Sequence, residues 1–145
     1  MAVIEVSKVI NNSAAEIYDF VENHPERLSE WFEGIRHVNA DENFPEVGSQ
    51  MHFDYHAMGI DMKTVSTVLE HNPGVKFSAQ MDGVASGVQT WTFEEGDSGT
   101  LVTIHFDYDM AGGGLGKIAD KLMVERQNTK NFEQSLENLK SIMER

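Results

Sequence analysis

The last thirty residues set the strongest limit on the architecture of this chain. Leu115, Ile118, Leu122, Thr129, Phe132, Leu136, Leu139 and Met143 recur at three- and four-residue spacing, the period of one helix face. A continuous helix from 115 to 144 would be about 45 Å long at ~1.5 Å per residue. An apolar stripe of that length needs a large surface to lie on. Gly112-Gly113-Gly114 stand just before it and break whatever supplies that surface.

The preceding residues supply a sheet. Strands are expected at 35–41, 49–57, 60–70, 75–81, 86–94 and 100–110. Phe44-Pro45-Glu46-Val47-Gly48, Met58-Gly59, His71-Asn72-Pro73-Gly74, Asp82-Gly83 and Gly96-Asp97-Ser98-Gly99 punctuate them. Turns this short join antiparallel neighbours. The β-branched segment 3–10 adds a seventh strand. Ser13 and Glu16 form a capping-box pattern opening a helix with Ile17, Phe20 and Val21 on its apolar face. His24-Pro25-Glu26 then restarts the chain into a second short helix through Leu28, Trp31 and Phe32. The expected class is α+β: a seven-stranded curved antiparallel sheet wrapped around a long C-terminal helix, with two short helices between strands 1 and 2. No repeat or linker divides the chain, so residues 1–145 read as one domain.

Charge and composition narrow the partners. Eleven basic against 24 acidic side chains give a formal charge of −13, concentrated before residue 115. No basic patch exists to neutralise phosphates, which argues against nucleic acid and anionic membrane surfaces. With no cysteine, disulfides and thiolate metal sites are excluded. Met1-Ala2-Val3-Ile4-Glu5 reaches an acid too early for a secretory leader. No apolar run is long enough to span a bilayer. A cytoplasmic protein without membrane insertion is the expectation.

Strand parity identifies the inward face. It comprises Met51, Phe53, Tyr55 and Ala57; Ile60, Met62 and Thr64; Val75, Phe77, Ala79 and Met81; Gly87, Gln89, Trp91 and Phe93; and Val102, Ile104, Phe106, Tyr108 and Met110. Methionine recurs there, and its flexible thioether suits a surface that adapts to variable shapes as well as plain core filling. Gln89, Tyr55 and Tyr108 are polar on an inward parity, so each faces either a cavity or a bonded neighbour. The helix stripe has a gap near 125–126, where Glu125 or Arg126 could approach the interior or snorkel to the surface. Lys8 shares the parity of Ile4, Val6 and Ile10, marking either a bulge or a charge at a cavity end.

Several tempting chemistries fail. His52 and His56 would share a zinc ion on a helix, but on a strand they stand about 13 Å apart at ~3.3 Å per residue. Gly112-Gly113-Gly114-Leu115-Gly116-Lys117 lacks the spacer and the hydroxyl residue of a phosphate loop. Glu94-Glu95 fall beside a polar hairpin turn and read as solvated.

Six segments carry a resemblance: Ile4-Glu5-Val6-Ser7, Ile10-Asn11-Asn12-Ser13-Ala14-Ala15-Glu16-Ile17-Tyr18-Asp19-Phe20 and Pro25-Glu26-Arg27-Leu28-Ser29-Glu30-Trp31, then Trp91-Thr92-Phe93-Glu94, Gly113-Gly114-Leu115-Gly116-Lys117-Ile118-Ala119-Asp120-Lys121-Leu122 and Asn131-Phe132-Glu133-Gln134-Ser135-Leu136-Glu137-Asn138-Leu139-Lys140. On these the chain resembles the START-like (SRPBCC) superfamily, within it the polyketide cyclase/dehydrase and lipid-transport group. It implies the helix-grip fold, with a hydrophobic cavity between sheet and long helix and a mouth near the short helices and the glycine hinge. It carries over no fixed catalytic residue, cofactor or metal ligand. The expected cavity residues are Trp31, Met51, Phe53, Tyr55, Met62, Phe77, Met81, Gln89, Trp91, Phe106, Tyr108, Met110, Leu115, Ile118, Leu122 and Arg126. The leading expectation is binding or transport of a small hydrophobic molecule such as a lipid, isoprenoid or polyketide-like aromatic. A cyclase or dehydratase acting on a bound aromatic, and a chaperone-activator-like interaction module, are the alternatives. A homodimer stays open.

Overall fold

The computed structural model describes residues 2–110 and 121–145. Seven strands, β1 (Ala2–Ile10), β2 (Ile35–Ala40), β3 (Gln50–Ala57), β4 (Ile60–Asn72), β5 (Lys76–Asp82), β6 (Ala85–Gly96) and β7 (Gly99–Met110), form one antiparallel sheet. Its order is β1-β7-β6-β5-β4-β3-β2. β2 to β7 therefore make a meander, and the first strand closes on the last. Helix α1 (Ala14–Glu22), a 3-10 turn (Pro25–Arg27) and α2 (Leu28–Trp31) link β1 to β2. Helix α3 (Lys121–Met143) ends the fold; the expected helical residues 115–120 and the glycine hinge lie outside the described residues.

Local chemistry explains the main joints. Met58 and Gly59, both at positive φ (54° and 77°), make the two-residue β3–β4 hairpin, the backbone form whose twist matches paired strands. Gly87 permits close approach instead: a Cβ there would lie 1.9 Å from the Asp107 carbonyl oxygen, so any other residue would push β6 from β7. Only half of the expected capping box forms. Ser13 Oγ accepts the Glu16 N–H at 3.2 Å, while the Ser13 N–H goes to Asn12 Oδ1 at 2.7 Å. The acid that serves the helix start is Glu95, whose Oε1 accepts the Ala14 N–H at 2.7 Å. Glu95 is exposed, as expected, and the β6–β7 hairpin places it at the positive end of α1.

The C-terminal half of α3 is fastened to β1. Leu136 and Leu139 are almost fully buried, and each such side chain contributes ~1.5–3 kcal/mol. The Asn11 N–H donates to Glu144 Oε2 at 2.8 Å, Asn12 Nδ2 to the Met143 carbonyl at 2.9 Å and Lys140 Nζ to the Val9 carbonyl at 3.1 Å. Lys8 belongs to the same seam, ion-paired with Glu137. Its inward parity leads to the line where the helix crosses the sheet edge. On the other side of the helix, Ser135 Oγ accepts the Glu33 N–H at 2.9 Å and Asn138 Nδ2 donates to the Trp31 carbonyl at 2.9 Å. Those bonds hold the α2–β2 corner against α3.

Candidate ligand cavity

A cavity of about 100 Å³ lies between the sheet, the short helices and α3. The strands supply its walls by parity: Met51, Phe53 and Tyr55 from β3, Met62, Thr64 and Ser66 from β4, Phe77 and Met81 from β5, Gln89 and Trp91 from β6, and Phe106 and Met110 from β7. The short-helix segment adds Val21, Glu22, Pro25, Leu28 and Phe32, and α3 adds Asn128 and Phe132. The aromatic rings brace one another. Phe132 stacks on Phe106 at 6.2 Å and meets Phe32 edge-on at 5.3 Å, while Phe44 meets Phe77 edge-on at 6.1 Å.

Ten of the sixteen expected residues line this space: Met51, Phe53, Tyr55, Met62, Phe77, Met81, Gln89, Trp91, Phe106 and Met110. Leu115 and Ile118 lie outside the described residues. The other four are placed elsewhere. Trp31 is buried behind the wall, edge-on to Trp91 at 6.2 Å, with its Nε1–H sealed off and without a partner among the described residues. Tyr108 is also buried behind the wall, its hydroxyl accepting from Asn128 Nδ2 at 3.4 Å. Leu122 is 53% exposed, and Arg126 is exposed too. The cause is helix register. Successive turns toward the N-terminus from Phe132 bring Asn128 and Val124 inward, both 8% exposed, and turn Leu122 and Arg126 away. Val75 likewise leaves the inward set, because it sits in the β4–β5 turn and is 53% exposed.

The amide of Asn128 explains why a polar residue fills the stripe. Tyr55 Oη donates to Asn128 Oδ1 at 3.0 Å and accepts from Asn131 Nδ2 at 2.9 Å. Gln127 Nε2 completes the chain at Asn131 Oδ1, at 3.0 Å. Burial pushes the Tyr55 phenol up to about 12, partly offset by the Asn131 hydrogen bond. Burial raises Tyr108 as well. Both phenols are therefore neutral near pH 7, and this cluster is a closed network.

Glu22 differs. Only 4% exposed, it lines the cavity with no hydrogen-bond or ionic partner among the described residues. Burial pushes its carboxyl well above the usual carboxylate range. It also ends α1, where the helix dipole opposes negative charge. One turn earlier, Tyr18 Oη is 2.7 Å from His71 Nδ1, and its phenol is raised by burial first and by the Glu22 charge second. Two further groups face the cavity with spare capacity. Ser66, 1% exposed, has no hydroxyl partner among the described residues. Gln89 has its Oε1 occupied by the Trp91 Nε1–H at 3.0 Å. Because indole nitrogen only donates, the free end of Gln89 is its NH₂ group.

Glu22 was hidden in the sequence because an acid beside Asn23 and His24 looks solvent-facing; only its i+4 relation to Tyr18 hinted otherwise. Ser66 was findable, since it continues the parity of Met62 and Thr64. Among the described lining residues there is no lysine, arginine or histidine, and no group of three or more His, Asp or Glu could hold a metal ion. His56 instead pairs with Asp61 at 2.7 Å in the neighbouring strand.

A family model described as polyketide cyclase/dehydrase and lipid transport matches residues 1–144. No curated protein matches. Among solved structures, TTHA0849 from Thermus thermophilus is similar at 15% identity and TM-score 0.81, over 97% of this chain and 95% of that one. Major latex-like protein 151 from Panax ginseng is similar at 13% identity and TM-score 0.76, over 98% and 97%. The di-domain ARO/CYC StfQ of the steffimycin biosynthetic pathway is similar at 12% identity and TM-score 0.74, over 98% of this chain and 50% of that one. At such identities the likeness is one of fold.

Proposed function

The chain belongs to the polyketide cyclase/dehydrase and lipid-transport family, and on that premise we propose that it binds and carries a small hydrophobic molecule between the sheet and α3. The observation that carries this reading is an apolar, aromatic-walled cavity with a few polar atoms left unbonded at its surface. Such a composition is what small-molecule sites share. Enclosing roughly 150 Å² of ligand apolar surface would supply ~4 kcal/mol at ~25 cal/mol per Å².

The resting volume suits a ring-sized molecule, and a longer isoprenoid, acyl chain or polyketide would need the walls to yield. Met51, Met62, Met81 and Met110 are the side chains able to yield, since each has three soft torsions and no branching. Phe77, Trp91 and Phe106 supply the rigid faces on which a planar ligand would stack. Gln89 would orient its polar end. Among the described residues no helix is long and apolar enough to cross a membrane.

Native mass spectrometry of the protein as expressed tests the proposal. A co-purified hydrophobic mass, displaced by added naphthalene derivatives with a change in Trp91 fluorescence, is the expected result. A protein that carries no such mass and shows no thermal shift with a panel of lipids, isoprenoids and aromatic ketones would contradict it.

A further inference from the structure

Glu22 has no structural task that the fold requires. It caps no helix start, pairs with no cation and bonds no backbone group among the described residues. A carboxyl buried in that condition is a standing cost. The sealed, partnerless side-chain polar atom found among the described residues is Trp31 Nε1. The carboxyl of Glu22, equally partnerless, therefore touches accessible space, and the space it lines is the cavity.

We propose that Glu22, together with the Gln89 amide, is the specificity determinant of the cavity: as a neutral carboxylic acid it donates a hydrogen bond to an acceptor oxygen on an uncharged ligand, a carbonyl above all, and it turns away carboxylate- and phosphate-bearing lipids. The inference rests on the ligand-binding reading above and names the ligand class for the same site.

Three observations converge on it. First, the groups facing Glu22 provide no counter-charge. Tyr18 of α1 is neutral, His71 of β4 lies against the Tyr18 hydroxyl and does not line the cavity, and Glu70 of β4 adds negative charge. In the following turn, His24 is partly exposed beside Asp19 and Glu26, and Arg27 lies against Glu30. Tyr55 across the cavity is tied to Asn128 and Asn131. A ligand anion would thus enter a site with no cation among the described lining residues to meet it, the costliest form of burial. Second, the free end of Gln89 is a donor, because Trp91 occupies its acceptor. Third, a protonated Glu22 is likewise a donor, so these two groups ask for an acceptor.

Four probes with one naphthalene skeleton separate the outcomes: 2-acetylnaphthalene, 2-ethylnaphthalene, 2-naphthoate and 2-naphthylmethylamine. Each is titrated by calorimetry, with Trp91 fluorescence as a second signal, into the wild-type protein, Glu22→Gln and Glu22→Leu. The acetyl compound is expected to bind about tenfold more tightly than the ethyl compound at pH 6, the worth of one hydrogen bond in a dry site. Glu22→Gln keeps that preference, because an amide also donates, whereas Glu22→Leu removes it, weakening acetyl binding relative to ethyl binding. The wild-type preference fades as rising pH ionises Glu22; that of Glu22→Gln does not. Naphthoate does not bind. Equal acetyl and ethyl affinities, or naphthoate binding as tightly as the ketone, would overturn the proposal. Tightest binding of the amine with proton release would overturn it too, making Glu22 a counter-ion. If even the ethyl compound fails to bind, the ligand-binding reading itself falls and takes this one with it. If the ethyl compound binds without a ketone preference, only the role of Glu22 falls. Thermal melts of both variants check that each is folded.

Discussion

The cavity has two polar regions, and they are built on opposite plans. Around α3, Tyr55, Asn128, Asn131 and Tyr108 bond to one another. Elsewhere on the lining, the Glu22 carboxyl, the Ser66 hydroxyl and the Gln89 amide nitrogen have no protein partner among the described residues. The first arrangement recovers the desolvation of its groups within the fold, so it stabilises the protein. The second leaves that desolvation uncompensated until something else enters. Polarity inside an apolar cavity is therefore not one signal. A satisfied network belongs to the scaffold, and an unsatisfied one points to a ligand.

Breaking the closed region should have the largest effect. Asn128→Leu removes the bonds of both the Tyr55 and Tyr108 hydroxyls to this amide, leaving Tyr55 only its Asn131 donor, and is expected to cost ~2–3 kcal/mol, read as a lower urea midpoint with an unchanged slope. Tyr55→Phe should cost about 1 kcal/mol by itself. The double variant should cost clearly less than the two losses added, because both remove the same bond. Strict additivity would mean that the network does not act as one.

The open region should respond with the opposite sign. Burial raises the Glu22 carboxyl in the folded protein. Below the unfolded value of ~4.3 both states hold the proton, and the group does not affect stability. Above it the unfolded state loses its proton while the folded state keeps it. Wild-type stability therefore falls with rising pH until Glu22 ionises in the fold. Glu22→Gln cannot ionise and should become progressively more stable than wild type in paired urea titrations as pH rises above that unfolded value. A difference that stays flat over that range would show Glu22 ionising normally.

The smallest effect belongs to Ser66→Ala. Removing a hydroxyl that bonds nothing among the described residues should change stability by less than about 0.5 kcal/mol, far below the loss for Asn128→Leu. A Ser66→Ala loss above 1 kcal/mol would place Ser66 in a bonded network and erase the contrast between the regions.

Much of this is legible without coordinates. Strand walls follow from alternation, since side chains change face at every residue whatever the strand packs against. Met51, Phe53, Tyr55, Phe77, Met81, Gln89, Trp91 and Phe106 are inward on that basis, and the cavity is lined by all of them. The helix is harder. A 3.6-residue period drifts, and the charged and polar run from Glu125 to Asn131 contains no apolar residue to fix its phase. Periodicity alone therefore points to Arg126 for the inward position that Asn128 holds. An inward amide becomes sensible only once two tyrosine hydroxyls are known to face it.

Backbone period and turn chemistry, each acting within a few residues, dictate the seven strands, their turns, the short helices and the inward parity. Which polar groups are satisfied is settled by long-range packing instead. Lys8 found Glu137, Glu95 found the start of α1 and Asn128 found Tyr55, across separations of 129, 81 and 73 residues. Glu22 found no partner among the described residues. Whether a buried polar atom is paired depends on what the fold brings within ~3 Å of it, and spacing along the chain carries no record of that.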